Sequence, residues 1–178
     1  TPVVLMLGVV PVADGAMLAD LNIGILFVVA VSSITSLGVF MAGWSSYNKY
    51  SLLSAMRTVA QLVSYEMPLI LSMLGVVILT GSLSLNEIVR AQSIPFILLQ
   101  PAGFFIFFTA SLAEINRTPF DLLEADSELV AGYNIEYSGM KFATFYLTEY
   151  CEAIVLSTLT ATLFLGGWQG PWLPPVIW

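Results

Sequence analysis

Three glutamates interrupt otherwise apolar stretches of this chain, and their positions could support proton chemistry. Glu66 lies nine residues beyond Arg57, Glu149 lies eight residues beyond Lys141, and Glu152 follows Glu149 by about one helical turn. At 1.5 Å per residue, helices would carry Glu66 and Glu149 about 12–14 Å from the ends that the basic residues mark. Ionised carboxylates facing lipid are costly, so we expect both side chains to face protein or water. There they would either hydrogen-bond a neighbouring helix as neutral acids or pass protons to one another.

A second group of acids lies in one segment between two apolar stretches, residues 114–141, which we name the acidic loop. It holds half of all Asp and Glu residues, namely Glu114, Asp121, Glu124, Asp126, Glu128 and Glu136. Thr118 followed by Pro119 is typical of a helix start, and Gly132 is typical of a helix end. On such a helix Asp121, Glu124 and Glu128 share one face. That face would be solvated at the membrane surface, or held against a basic partner or a cavity with partly protonated acids.

The composition indicates the medium in which these acids must be held. The chain has 178 residues, of which 58% are hydrophobic and 10% charged, and its mean hydropathy is +0.90. A soluble domain carries about 25% charged residues, and crossing a bilayer takes about 20 apolar ones. Four stretches are long enough: 21–43, 58–81, 94–113 (interrupted by Pro101) and 142–167. The sequence therefore predicts a single all-α integral membrane bundle with four complete transmembrane helices. Residues 1–12 and 171–178 read as partial spans, so we expect a fragment.

The basic residues of the connecting segments predict the orientation of this bundle. Lys49 and Arg57 precede the second stretch, and Arg117 and Lys141 lie in the acidic loop, on the same side of the membrane. The opposite side has only Arg90. Because cytoplasmic loops carry the excess of Lys and Arg, the acidic loop is expected to face the cytoplasm, or the matrix in a mitochondrion.

Other functional classes lack the residues that they need. The chain has no histidine and one cysteine, Cys151, which argues against histidine-ligated haem or zinc and against cysteine-ligated clusters within it. It has no glycine-rich phosphate loop, no Ser–His–Asp set and no basic patch for nucleic acid. The hydroxyl cluster Ser32, Ser33, Thr35 and Ser36 is more typical of helix packing than of a proton conduit. Electron carriers for any redox chemistry must therefore come from elsewhere.

The longest pattern in the chain resembles a known family. Residues 113–142 read AEINRTPFDLLEADSELVAGYNIEYSGMKF, followed by Phe145, Tyr146, Glu149 and Tyr150. This pattern closely resembles the signature loop of the H subunit of bacterial NADH:quinone oxidoreductase, respiratory complex I (subunit 1 in mitochondria). The stretches ADLNIG (19–24), GWSSYNKYSL (43–52), AQLVSYE (60–66) and GGWQGP (166–171) resemble the same family. The resemblance covers essentially the whole chain.

The resemblance implies a membrane anchor on which a peripheral redox arm docks. Such a subunit forms the entrance and part of the wall of a quinone chamber and begins an acidic path toward antiporter-like subunits. Matched by position, the acids of that path would be Glu66, Glu114, Asp121, Glu124, Glu128 and Glu149. The residues near the quinone chamber would be Arg117, Phe120, Phe142, Phe145 and Tyr146. Quinone would be the substrate, while NADH, FMN and iron–sulfur clusters would belong to partner subunits in a bacterial plasma membrane.

The chain also departs from the family pattern. Ile115 stands where threonine is usual, Leu123 where proline is usual, and Asp126 where glutamate is commoner. Glu152 is not a usual acid of the family, so any role for it depends on its depth alone. An earlier span and two later spans of the family have no counterpart in this sequence, which would leave the quinone chamber incomplete.

Three other functions are compatible with the membrane carboxylates. They are the equivalent subunit of a membrane-bound hydrogenase-type complex, a free-standing proton-coupled transporter, and a passive structural anchor. Membrane acids suit a transporter equally well, and the pattern of residues 113–150 favours the quinone-linked subunit over the first two of these functions.

Overall fold

A computed structural model of the chain describes residues 2–11, 13, 17–120, 132–134 and 136–169. Their regular elements are α1 (Pro2–Val9), α2 (Gly24–Ser45), α3 (Lys49–Thr80), α4 (Leu85–Ala91), α5 (Phe96–Leu99), α6 (Pro101–Glu114) and α7 (Met140–Phe164). The predicted all-α class is therefore confirmed for this part of the chain.

Two of the described helices, α2 and α3, are long and apolar enough to cross a membrane. The side chain of Asn48 caps α3 by accepting a hydrogen bond from the Tyr50 amide at 3.0 Å. The helix ends at Gly81, whose positive φ of 70° is the left-handed conformation typical of helix ends. Because α3 begins at Lys49, it extends well beyond the predicted stretch 58–81.

The third predicted stretch is divided where the sequence has Pro101. Residues 96–99 form α5, Gln100 leaves the helical conformation, and Pro101 occupies the first turn of α6. Proline fits that position because the amides of a first turn have no intrahelical partner. The interruption expected at Pro101 is thus confirmed. α6 packs against α3 on one side and against α7 on the other.

The core and the outside of this bundle are both apolar. Phe107 of α6 is fully buried against Phe164 of α7, with ring centroids 5.4 Å apart. On the outside, large apolar side chains are also uncovered, including Ile78 (81% exposed) and Leu98 (72% exposed). An apolar exterior is costly in water, and hydrocarbon surroundings remove that cost.

The two ends of the bundle are closed by different segments. At one end the Gln92 side chain donates to the carbonyls of Thr162 and Leu163, at 2.9 and 3.0 Å. At the other end the Ser51 hydroxyl donates to the Tyr133 carbonyl at 2.8 Å. The connection between α2 and α3 therefore lies beside the described part of the acidic loop, and we name this the loop end.

Candidate functional site

Glu66 lies in the interface between α2 and α3. Its Oε1 accepts a hydrogen bond from the Ser33 hydroxyl. The other hydroxyls of the cluster, those of Ser32, Thr35 and Ser36, donate to carbonyls of their own helix. Ser33 is the member of this cluster whose hydroxyl joins α2 to the next helix.

Glu114 ends α6 and is close enough to Glu66 for their charges to interact. Its Oε2 atom is buried and has no hydrogen-bond partner among the described residues. A buried carboxylate oxygen without a donor is unfavourable in the ionised form, because burial removes the water that would solvate its charge. Binding a proton at Glu114 therefore removes two unfavourable contributions, the cost of burying its charge and the repulsion from the charge of Glu66.

Two further carboxylates extend this set along α7. Glu152 interacts with Glu114, with the Thr35 hydroxyl and with Glu149. We name Glu66, Glu114, Glu152 and Glu149 the carboxylate row, because each is near enough to the next for their charges to interact.

A small pocket lies between the middle members of the row. Glu114, Glu152 and Ser32 supply its polar atoms, and apolar side chains such as Met73 and Leu156 supply the rest. Its volume is about 20 Å³. A single water molecule needs roughly 10–15 Å³ and two or more polar partners, so the pocket can hold one.

Arg117 adjoins the row at its α7 side. Its Nη2 atom lies 3.6 Å from Glu149 Oε1, and its guanidinium lies 5.4 Å from the centroid of the Tyr150 ring. Solvent screens this ion pair, because about half of the Arg117 side chain is exposed.

Phe120 lies where the acidic loop leaves α6. Its ring meets the Tyr65 ring edge-on, with centroids 5.1 Å apart. The amide nitrogen of Gln61 donates to the carbonyls of Ala113 and Phe120 and to Asn116 Oδ1, at 2.8, 3.1 and 3.2 Å. One glutamine of α3 therefore fixes the start of the acidic loop.

The remaining predicted chamber residues belong to an aromatic group at the loop end. Phe142 and Tyr146 pack together with centroids 4.8 Å apart on α7. Phe145 contacts Tyr133 and Tyr137 at 5.5 and 5.2 Å. The structure thus divides the predicted chamber residues between two places, the start of the acidic loop and the first turns of α7.

Tyr133 is a residue that the sequence did not single out. Burial raises its pKa to about 12, and the nearby charges of Glu152 and Glu149 add to this rise. The hydroxyl therefore stays protonated and able to donate beside the carboxylate row. Its loop position has no helical periodicity from which this proximity could be predicted.

Three predicted acids of the path, Asp121, Glu124 and Glu128, lie outside the described residues, as does most of the helix predicted for them. Among the residues that the structure does describe, no three His, Cys, Asp or Glu side chains are grouped so as to hold a metal ion.

A comparison with known families identifies the chain. The family model described as NADH dehydrogenase matches residues 1–178, which is the whole sequence. The chain belongs to this family. The resemblance drawn from residues 113–142 is therefore confirmed.

Curated relatives in this family share much of the sequence. Two proteins from different strains of Dehalococcoides mccartyi, each named as the H subunit of NADH-quinone oxidoreductase, are 70% and 68% identical to it over 177 residues. A protein of the same name from Geobacillus sp. (strain WCH70) is 50% identical over 182 residues. Each alignment covers 99% of this chain and 50–55% of the relative. The chain thus spans about half the length of the curated relatives it matches.

Proposed function

We propose that the full-length protein is the membrane subunit of an NADH:quinone oxidoreductase that helps to form the quinone chamber and begins a proton-coupling path. The observation that carries this proposal is the carboxylate row beside Arg117, in a chain of the NADH dehydrogenase family. The row contributes no redox centre. Its chemistry is proton binding and release.

We propose further that the protein crosses the bacterial plasma membrane through the stretches 21–43, 58–81, 94–113 and 142–167. The uncovered apolar side chains on the outside of the bundle support lipid as the surrounding medium. The acidic loop, residues 114–141, would face the cytoplasm and the peripheral subunits. Those partners would carry NADH, FMN and the iron–sulfur clusters.

In this function Arg117 and the aromatic residues predicted for the chamber would form part of the wall around the quinone. Phe142, Phe145 and Tyr146 offer flat apolar surfaces for a ring, and Phe120 lies at the start of the acidic loop beside Tyr65. Asp121, Glu124 and Glu128 are assigned to the proton-coupling path because of the family resemblance.

The carboxylate row would convert a charge change at the quinone into proton movement. When quinone takes up two electrons, negative charge would develop near Glu149 and Arg117 until two protons neutralise it. Because neighbouring carboxylates oppose each other's ionisation, the change alters proton occupancy at Glu152, then at Glu114, and then at Glu66. The Ser33 hydroxyl donates a hydrogen bond to Glu66 at the far end of the row.

Amide substitutions in the full-length protein test this function. Glu66→Gln and Glu149→Gln remove a titrating group with little change in volume, so quinone-linked NADH oxidation and proton pumping by the assembled complex are expected to fall about tenfold or more. The matched control is Glu87→Gln, because Glu87 is exposed on α4, away from the row. Normal turnover and pumping in both variants would refute the assignment of these two acids.

The same preparations separate the alternative functions. Hydrogenase-type peripheral subunits that co-purify with the protein would replace the quinone assignment. Proton transport by the purified full-length chain alone would favour a free-standing transporter. Amide variants that reduce assembly but leave turnover per complex unchanged would favour a passive anchor.

A further inference from the structure

Glu152 has no role in the path that the family resemblance implies, yet the structure sets it within the carboxylate row. It interacts with Glu114 of α6, with the Thr35 hydroxyl of α2 and with Glu149 of its own helix. The neutral hydroxyl of Tyr133, in the acidic loop, is also near enough to sense the charge of Glu152. Glu152, on α7, therefore lies near polar side chains of two other helices, Thr35 of α2 and Glu114 of α6.

A second observation points to a bound proton carrier beside Glu152. The Oε2 atom of Glu114 is buried and has no hydrogen-bond partner among the described residues. Glu114 and Glu152 line the same pocket, whose volume of about 20 Å³ suits one water molecule. Such a water could donate to Glu114 Oε2, whose hydrogen bond is otherwise missing.

We propose that Glu152 is a proton-carrying residue that joins Glu114 to Glu149 through one water molecule held in this pocket. The inference depends on the proposed function, because it adds a residue to the same path. Glu152 does not touch quinone in this scheme. It acts through its carboxylate neighbours.

The transfer moves one proton and no electrons. The O–H bond of protonated Glu114 breaks as the water oxygen accepts that proton, and the water gives another of its protons to the Glu152 carboxylate. Glu114 is left ionised, Glu152 becomes neutral, and the water is regenerated. A second transfer, from Glu152 to the Glu149 carboxylate, returns Glu152 to its ionised form.

Two substitutions distinguish this role from a structural one. Glu152→Gln keeps the side-chain volume and can still hydrogen-bond Thr35, but it cannot carry a proton. Glu152→Asp keeps a titrating carboxyl and shortens its reach by one methylene. A structural role predicts that Gln is the milder change, whereas a proton-carrying role predicts that Asp is.

The variants are measured in the assembled complex that contains the full-length protein, with Glu87→Gln as the control. We expect Glu152→Gln to lower NADH-driven quinone reduction and proton translocation about tenfold or more, and Glu152→Asp to restore most of both. A Glu152→Gln complex that turns over and pumps like the control would overturn the proposal, as would an Asp variant weaker than the Gln variant.

Infrared spectroscopy gives a readout that does not depend on turnover or on Glu152→Gln assembling. A pH-induced difference spectrum of the purified complex reports the C=O stretch of its protonated carboxyls. We expect Glu114→Gln to remove one band and to shift the band of Glu152, because the two groups are coupled. If Glu114→Gln left all remaining carboxyl bands unchanged, the coupling and the proposal would both fail. A wild-type complex with the coupled bands but no quinone reduction would instead refute only the proposed function.

Discussion

Gly43 lies where α2 and α3 approach so closely that one added methyl group does not fit. A Cβ atom at this position would lie 2.2 Å from the Ala55 Cβ and 3.2 Å from the Ser51 carbonyl oxygen. Carbon atoms in contact are about 3.5–4.0 Å apart, so Gly43→Ala would force the two helices to separate by about 1 Å or more. Overpacking of this kind costs about 1–3 kcal/mol, which lowers the ratio of folded to unfolded protein about 5- to 150-fold.

The assay compares Gly43→Ala with a second glycine of the same helix. Gly38 has no atom within 4 Å of an added Cβ, so Gly38→Ala brings no clash and gains up to about 1 kcal/mol of helix propensity. We expect Gly43→Ala, and not Gly38→Ala, to lower the thermal stability of the purified full-length protein in its complex. Adding Ala55→Gly to Gly43→Ala removes the clashing methyl group and should recover most of the loss.

Equal stability of the two single variants, or no recovery by Ala55→Gly, would show that α2 and α3 do not pack as described. The result bears on the functional site as well. α2 carries Ser33, α3 carries Glu66, and separating the helices would lengthen the hydrogen bond between these two side chains.

Two further substitutions test the start of the acidic loop. Gln61→Leu removes the donor that three acceptors share, although the Ala113 carbonyl still accepts from the Asn116 amide. An acceptor left buried without a donor costs about 1–3 kcal/mol, so limited proteolysis should cut the loop faster than in the wild type. An unchanged cleavage rate would contradict this anchoring role. Arg117→Gln removes a half-exposed ion pair worth at most about 1 kcal/mol, so thermal stability should hardly change while quinone-linked NADH oxidation falls. Arg117→Lys should fall between the two, because it keeps the charge but loses the planar contact with Tyr150. A loss of stability without a loss of activity would give Arg117 a structural role.

The helices follow from features that a sequence displays directly. An uninterrupted apolar stretch predicts α2, and Pro101 predicts the division between α5 and α6. The beginning of α3 was not predicted, because Lys49 and Arg57 lower the hydropathy of its first turns. Hydropathy measures a preference for lipid and does not show where a helix begins. The start of α3 is stabilised by its N-cap, Asn48, whose side chain accepts a hydrogen bond from the helix backbone.

The members of the site were predicted less completely than the helices. Depth arguments select Glu66 and Glu149, since both lie well inside apolar stretches. They do not show that Glu114 lies between them, because this depends on how α6 packs against α3 and α7. The same limit applies to Ser33, since a cluster of adjacent hydroxyls does not reveal which one faces the neighbouring helix.

The carboxylate row is difficult to explain as a contribution to stability. Like charges held close together repel, and apolar side chains of similar size would pack in their place without that cost. Binding a proton at Glu114 or Glu152 relieves the repulsion between them, and the ion pair with Arg117 relieves it at Glu149. An arrangement in which binding one proton relieves repulsion between neighbours can change its charge one proton at a time. That property has no use in a passive anchor, and it supports the function proposed above, in which chemistry at one end of the row becomes proton movement at the other.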